Sequence, residues 1–302
     1  MAFRVVYIEN EASMHVKLGN LVVNKGEGDI WLPISDISMI ILDNLKISVT
    51  TRMMNAFAEN NVSVVICNNE HLPIGFYSSY DNHSRVSKYI GFQIDKSKAY
   101  YDELWAKIVK AKISNQIEVL RALDFEEEKI EMISQMCENV GPGDPTNREA
   151  HAAKVYFNTL MGTSFSRGNE DILLNSGLDY GYAVLRAFIA RVCVGYGLNT
   201  QLGIHHRNEY NRFNLVDDLI EPFRPYVDYM AYELLKDEKY FKREHRVQLI
   251  GLISKYVPYK NKRMLLSNVI EDYVQQYARH LMSDNSTEIC FPVFEGVSED
   301  EI

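Results

Sequence analysis

No two cysteines in this sequence are close enough to form the C-x-x-C pair that chelates zinc or shuttles disulfides. The four, Cys67, Cys137, Cys193 and Cys290, lie 70, 56 and 97 residues apart, which points to reduced, buried thiols. A disulfide or metal staple is not needed in any case, because a chain of 302 residues buries roughly three quarters of its unfolded surface. Proline and glycine are sparse, at 8 and 16 residues, which excludes a collagenous or low-complexity chain. Nor is there a membrane span of about twenty apolar residues nearly free of charge. The most apolar helical stretch, Tyr182 to Gly195, is interrupted by Arg186 and Arg191. At the N-terminus Glu9 and Glu11 arrive before any apolar run reaches signal-sequence length, so the expected location is the cytoplasm, with no membrane partner. A Walker loop, a G-x-G-x-x-G after a strand, a G-x-S-x-G elbow and an H-E-x-x-H are all missing. Nucleotide hydrolysis, nicotinamide chemistry, and esterase and zincin activities are therefore without support.

Basic charge is also scarce overall: 32 Lys and Arg face 41 Asp and Glu, for a net charge of −9. The deficit sits at the two ends. Residues 1–80 hold 5 basic against 8 acidic residues, 81–282 hold 27 against 27, and 283–302 hold none against 6. The balanced middle can carry basic faces, such as Lys107, Lys110 and Lys112, or Lys239, Lys242, Arg243 and Arg246. Each such run reads first as a solvated helix face and second as a phosphate-binding surface.

What is present divides near residue 80. Phe3 to Tyr77 reads as short β-branched or aromatic runs, at Phe3–Ile8, Met14–Leu18, Leu21–Val23, Trp31–Leu32, Met39–Leu42, Val62–Cys67 and Ile74–Tyr77. Gly19-Asn20 marks a hairpin turn, and one helix fits Thr50 to Glu59. Beyond this region the apolar period becomes helical, with helices expected over Glu126–Glu138, Pro145–Met161 (Asp144 as N-cap), Leu178–Tyr196, Val216–Leu235, Glu244–Tyr256 and Met264–Met282. The expected fold class is α+β, a small N-terminal β-sandwich-like domain followed by an all-α domain. The divisions are 1–80, a hinge or linker at 81–90, helices over 91–282, and an acidic, mobile C-terminal tail at 283–302, with one pinned segment at Cys290–Phe294.

Chemistry has few carriers. Asp218 and Glu221, three apart on an expected helix, share a face, and His206 lies fifteen residues upstream of Glu221. This spacing leaves two readings open, half of a metal site or a solvated acidic face. Glu149 lies on a separate helix. The Leu178-Asp179-Tyr180-Gly181-Tyr182 stretch reads as a close helix contact, and the 19 tyrosines as half-buried packing residues.

Three blocks at these residues occur together: Asn147-Arg148-Glu149-Ala150-His151-Ala152-Ala153-Lys154-Val155-Tyr156-Phe157, Gly177-Leu178-Asp179-Tyr180-Gly181-Tyr182, and His206 with Asp218-Leu219-Ile220-Glu221-Pro222-Phe223-Arg224-Pro225. In kind and order they resemble the integrase family called CRISPR-associated protein one, most closely its type II-A form, and the resemblance extends over essentially the whole chain. It implies a dimerising β-domain and a helical catalytic domain in which Glu149, His206 and Glu221 bind Mg²⁺ or Mn²⁺. Glu221 departs from the aspartate common at that position, and Asp218 matches a second acidic position as a ligand or outer partner. His205 and His151 are left as packing or surface residues. The implied reaction is attack by the 3′-hydroxyl of a short DNA fragment on a phosphodiester at the edge of a CRISPR repeat. The implied partners are double-stranded DNA (prespacer and repeat), a second copy of the chain, and a second small adaptation protein. The rival reading is a non-catalytic DNA-binding scaffold of the same architecture.

Overall fold

The computed structural model describes residues 4–24, 28–80, 83–169, 172–283 and 288–298. The N-terminal strands follow the expected runs: β1 (Arg4–Ile8), β2 (Ser13–Lys17), β3 (Asn20–Asn24), β4 (Asp29–Pro33), β5 (Ile37–Leu42), β6 (Ser63–Cys67) and β7 (Pro73–Tyr77). Strands β2, β3 and β4 form an antiparallel meander. Its first turn is Leu18-Gly19, where φ is positive at both residues, as a tight hairpin between right-twisted strands requires. The other sheet runs β1-β5-β6-β7, with β1, β5 and β6 parallel. Parallel neighbours need a crossover, supplied between β5 and β6 by α1 (Thr51–Glu59), whose N-terminus is capped by the Thr50 hydroxyl accepting from Met53 N–H at 3.2 Å.

The two sheets and α1 share one core of Met14, Leu21, Ile40, Phe57 and Val64. The opposite face of the second sheet, through Met39, Ile41 and Val65, belongs to the core of the helical domain. Strand β5 is therefore covered on both sides, which is why Ile37–Leu42 is buried at every position instead of alternating. Buried Asp43, at the end of β5, reinforces the junction. It accepts from Tyr7 Oη, lies 2.8 Å from His71 Nδ1, and pairs with Arg246 at 3.5 Å. Arg246, expected on a solvated basic face, is thus a buried tie between domains.

The helical domain comprises α2 (Val86–Asp95), α3 (Lys98–Ala122), α4 (Glu127–Glu138), α5 (Arg148–Met161), α6 (Leu173–Gly195), α7 (Asn214–Leu219), α8 (Arg224–Leu235), α9 (Arg243–Gly251) and α10 (Leu266–Met282), with a hairpin of β8 (Tyr256–Tyr259) and β9 (Lys262–Leu265). Helices α6 and α8 touch closely: a Cβ at Gly177 or Gly181 would lie 2.4 Å from Leu235 or 2.5 Å from Val227, so the glycine-rich stretch is the close helix contact its composition suggests.

Several expectations are corrected. The 81–90 segment already contains the start of α2 at Val86, while residues 81–82 lie outside the described residues. The helix expected from Pro145 begins at Arg148, because Asp144 has positive φ and a turn intervenes. Its carboxylate still caps the helix, accepting from the N–H groups of Arg148 and Glu149, both at 2.9 Å. The helix expected over Val216–Leu235 breaks into a tight 3-10 turn at Glu221–Phe223, where Pro222 and Pro225 lack the N–H groups a continuous helix needs. The expected Glu244–Tyr256 helix stops at Gly251; a 3-10 turn at Leu252–Ser254 leads into the β8–β9 hairpin, whose turn is Lys260-Asn261, both of positive φ.

The C-terminal tail is pinned more extensively than its composition suggests. Phe294 is fully buried against the rings of Tyr226 and Tyr229, Val293 O accepts from Tyr226 Oη at 2.9 Å, and Ser298 bridges to Tyr256. Asn115 of α3 donates to Pro292 O at 3.0 Å and accepts from Phe294 N–H at 2.9 Å. Residues 284–287 and 299–302 lie outside the described residues. Deleting everything after Met282 should therefore destabilise the protein, and Phe294→Ala alone should cost about 3–5 kcal/mol, the usual penalty for emptying a buried aromatic site. Thermal melting checks this, and unchanged melting of the truncated chain would mean that the segment is not part of the core.

Candidate active site

Helix α3 is the wall against which the site is built. Its buried face carries Trp105, Ile108, Lys112, Asn115 and Val119. Asn115 donates to Pro222 O at 2.7 Å, fixing the 3-10 turn that presents Glu221. One turn away, the Lys112 ammonium, only 11% exposed, stands 2.7 Å from Glu149 Oε1 and 2.5 Å from Glu221 Oε2. Glu221 also accepts from Arg224 Nε at 2.8 Å. Its Oε2 is buried and faces the Lys112 ammonium. Burial alone would raise the Glu221 carboxyl, but Arg224 and Lys112 outweigh it and hold the group below the ordinary carboxylate range. Burial would likewise discharge Lys112, but Glu221 and Glu149 reverse the shift and keep the ammonium charged.

Asp218 does a different job. Although three residues from Glu221, it does not share a ligand face with it. It is fully buried, accepts backbone N–H bonds from Ile204, His205 and His206 at 2.5, 3.0 and 3.1 Å, and lies 2.6 Å from His206 Nδ1. Both oxygens are committed to the loop, so Asp218 orients the imidazole and leaves its Nε2 open. The loop can fold this tightly because of Gly203, where a Cβ would lie 2.2 Å from His206 O. His205 stacks face to face on Trp105, centroids 4.4 Å apart, whereas His206 meets the same ring edge-on. The two neighbouring histidines thus face different ways, with His205 packed and His206 held by the carboxylate.

Of the residues singled out in the sequence, Glu149 and Glu221 are brought together, and His206 lies within electrostatic reach of Glu221. Among the described residues, no three His, Cys, Asp or Glu side chains are gathered into a ready metal cage. The donor chemistry nevertheless fits a hard divalent cation: two carboxylates converge on one positive charge, and one imidazole nitrogen is left open. Lys112 is what the sequence reading missed, having been grouped with Lys107 and Lys110 as a solvated face. Those two are exposed. The signal was its register, four residues after Ile108 and seven after Trp105, in the middle of the apolar stripe.

A cavity of about 750 Å³ adjoins His206, lined also by Lys96, Lys98, Arg207, Tyr210 and Arg212. A second cavity of similar volume, between β7, α2 and α6, has no Asp, Glu, His or Cys in its lining. Only the first combines basic side chains with a candidate site residue.

The family model described as CRISPR associated protein Cas1 matches residues 5–253. The chain belongs to the Cas1 family. It is 34% identical over 234 residues to the CRISPR-associated endonuclease Cas1 of Neisseria meningitidis serogroup C (strain 8013), covering 78% of this chain and 76% of that one. It is 24% identical over 302 residues to a CRISPR-associated endonuclease Cas1 of Francisella tularensis subsp. novicida (strain U112), covering 89% and 92%. Among solved structures, a casposase bound to integration product superposes with a TM-score of 0.75 at 20% identity over 95% of this chain and 92% of that one. A CAS1 protein from Thermotoga maritima gives 0.71 at 14% identity over 97% and 100%. These likenesses establish a Cas1-type α+β fold. No helix among the described residues is long and apolar enough to cross a membrane.

The Asp218 contact raises the His206 imidazole above its ordinary value, chiefly through the side-chain hydrogen bond. A raised histidine stabilises the fold fully below its unfolded value of about 6.5 and loses that contribution as pH rises through the folded value. Asp218→Asn should return His206 toward the ordinary value and remove this pH dependence, as followed by imidazole NMR titration. An unchanged His206 titration in Asp218→Asn would show that the carboxylate does not hold the ring.

Proposed function

We propose that this Cas1-family chain is a metal-dependent DNA integrase and endonuclease of CRISPR adaptation, inserting short DNA fragments as new spacers. The observation that carries this reading is the convergence of Glu149 and Glu221 on a single buried positive charge. The expected ion is Mg²⁺ or Mn²⁺, held by Glu149, Glu221 and the open nitrogen of His206. Once bound, such an ion supplies charge neutralisation at the phosphoryl oxygens and a lowered pKa for an attacking hydroxyl.

The chain's own residues supply the rest. Asp218 keeps the His206 ring in one tautomer and orientation, with the lone pair of Nε2 outward. Arg224, held by Glu221 and stacked 4.6 Å from the Tyr182 ring, brings a second fixed positive charge to the site. Lys96, Lys98, Arg207 and Arg212 in the adjoining cavity are suited to phosphates, and exposed Tyr210 to stacking on a base. A strand lying there would bring its end to His206. The 3′-hydroxyl of that strand attacks a phosphodiester of the repeat, the new ester bond forms as the old one breaks, and the departing 3′-oxygen takes up a proton. No covalent protein intermediate is required.

The partners in this reading are double-stranded prespacer and repeat DNA, a second copy of the chain, and a second small adaptation protein, in the bacterial cytoplasm. A Cas6-RT-Cas1–Cas2 complex contains a chain of similar fold, with a TM-score of 0.72 over 97% of this chain and 36% of that one, which supports assembly with such a partner. The type II-A form rests on the three motif blocks alone. A non-catalytic scaffold has no use for a carboxylate pair held at the cost of burying a lysine, and this favours catalysis.

Glu149→Gln, Glu221→Gln and His206→Ala should each lower metal-dependent strand transfer at least about 100-fold, since loss of an outer partner of a metal ligand already costs 10–100-fold. His205→Ala should retain most activity. Glutamine is the informative replacement at 221, because it keeps the side-chain length and an oxygen that can accept from Arg224, whereas Glu221→Ala would also leave a void and no acceptor beside two buried cations. Strand transfer by the purified protein with its small partner, across a Mn²⁺ titration, is the measurement. Full activity in both glutamine variants would remove the assignment.

A further inference from the structure

Lys112 is the only component of the carboxylate pair for which the proposed reaction has no role. It is the only buried lysine among the described residues, and nothing in the packing forces it there: Ile108 and Val119 on the same face are apolar, and α3 would pack without a charge at position 112. Its ammonium reaches Glu149 and Glu221 together, from two elements that otherwise meet α3 separately, the start of α5 and the 3-10 turn after α7. Two carboxylates brought this close with no cation between them would repel one another in a poorly solvated site.

We propose that Lys112 is a resident counter-ion that occupies the carboxylate pair when the metal is absent and leaves it when the metal enters. The inference rests on the reading of Glu149 and Glu221 as metal ligands and adds a regulatory element to it. Magnesium binds oxygen at about 2.0–2.1 Å, shorter than the ammonium contacts of 2.7 and 2.5 Å. An ion held by both Glu149 and Glu221 would therefore compete with the Lys112 ammonium for the same pair of carboxylates. The Lys112 stem is flexible enough to swing the ammonium aside. Its departure places a mobile positive charge beside the site only after the ion is bound. The metal-free protein stays folded with its ligands spaced apart, and metal affinity is set lower than the bare carboxylate pair would give. Arg224 cannot take this role, because it touches Glu221 and makes no contact with Glu149.

The test compares wild type, Lys112→Met and Lys112→Met/Glu149→Gln by two readouts that do not require turnover: Mn²⁺ binding by isothermal titration calorimetry, and thermal melting in EDTA and in saturating Mn²⁺. Lys112→Met should bind Mn²⁺ about tenfold or more tightly than wild type, since one competing positive charge is gone. In EDTA it should melt roughly 5–10 °C lower, because the buried Glu221 and the part-buried Glu149 are left facing each other, and Mn²⁺ should restore most of the loss. The double variant should regain melting in EDTA while losing Mn²⁺ binding. If Lys112→Met folds only when Mn²⁺ is supplied, the ion has replaced the ammonium and the inference stands. If wild type binds Mn²⁺ and Lys112→Met binds it no more tightly, or folds in neither condition, Lys112 is not a counter-ion exchanged for metal, and the metal-site reading is untouched. If neither protein binds Mn²⁺ while both fold, the metal-site reading fails and the inference fails with it.

Discussion

A single buried ammonium, Lys112 Nζ, holds together residues that are distant in sequence. Glu149 comes from the first turn of α5 and Glu221 from a 3-10 turn seventy-two residues later. Neither element has a reason of its own to point a carboxylate into a poorly solvated space. Burying the Glu221 carboxylate is costly, and setting the part-buried Glu149 beside it is more so, unless a positive charge is fixed between them. Helix α3 supplies that charge and, one turn on, uses Asn115 to hold both the backbone at Pro222 and the C-terminal segment at Pro292 and Phe294. The long helix is thus both the centre of the hydrophobic core and the frame of the site.

The division of labour between Asp218 and Glu221 follows from the prolines. An uninterrupted helix would have placed the two carboxylates in line. Pro222 and Pro225 tighten the chain into a 3-10 turn, which aims Glu221 at α3 and leaves Asp218 to collect three loop N–H groups and the His206 ring. One carboxylate thereby serves as a candidate ligand and the other as the support for a candidate ligand. Because the β-domain shares its sheet β1-β5-β6-β7 with the helical core and is tied to α9 through Asp43 and Arg246, the site rests on one continuous body rather than on a domain carried by a loose linker.

Local order was legible where local chemistry decides it. The strand positions, the presence of a hairpin turn at Gly19 (which falls at Leu18-Gly19, one residue before the expected Gly19-Asn20) and the C-terminal ends of α4 and α10 follow from alternation, turn residues and apolar period. Other features depend on tertiary context. The hairpin at Tyr256–Leu265 falls between two expected helices, over Glu244–Tyr256 and Met264–Met282, and takes the ends of both, with Lys260 and Asn261 in left-handed conformations at its turn and Ser298 paired alongside. Lys112 and Arg246 sit in basic runs that read as solvated, yet each is buried on the face where a carboxylate from another element awaits it. Charge runs say nothing about which of their members is inside. Glu149, His206 and Glu221 were named from the resemblance of their motif blocks to a family, and spacing alone could not have joined helices so far apart in the chain. The position of each in the site was then decided by hydrogen bonds visible only in three dimensions.

We propose that Glu149 and Glu221 form a pocket for one cation at a time. The most direct test is anomalous diffraction from crystals of the protein grown without metal and then soaked in Mn²⁺. The account predicts one strong peak between the Glu149 and Glu221 carboxylates, within bonding distance of His206 Nε2, with the Lys112 side chain turned away from its metal-free position. A peak bound instead by Asp218, or a site in which Lys112 still bridges both carboxylates at saturating Mn²⁺, would contradict it.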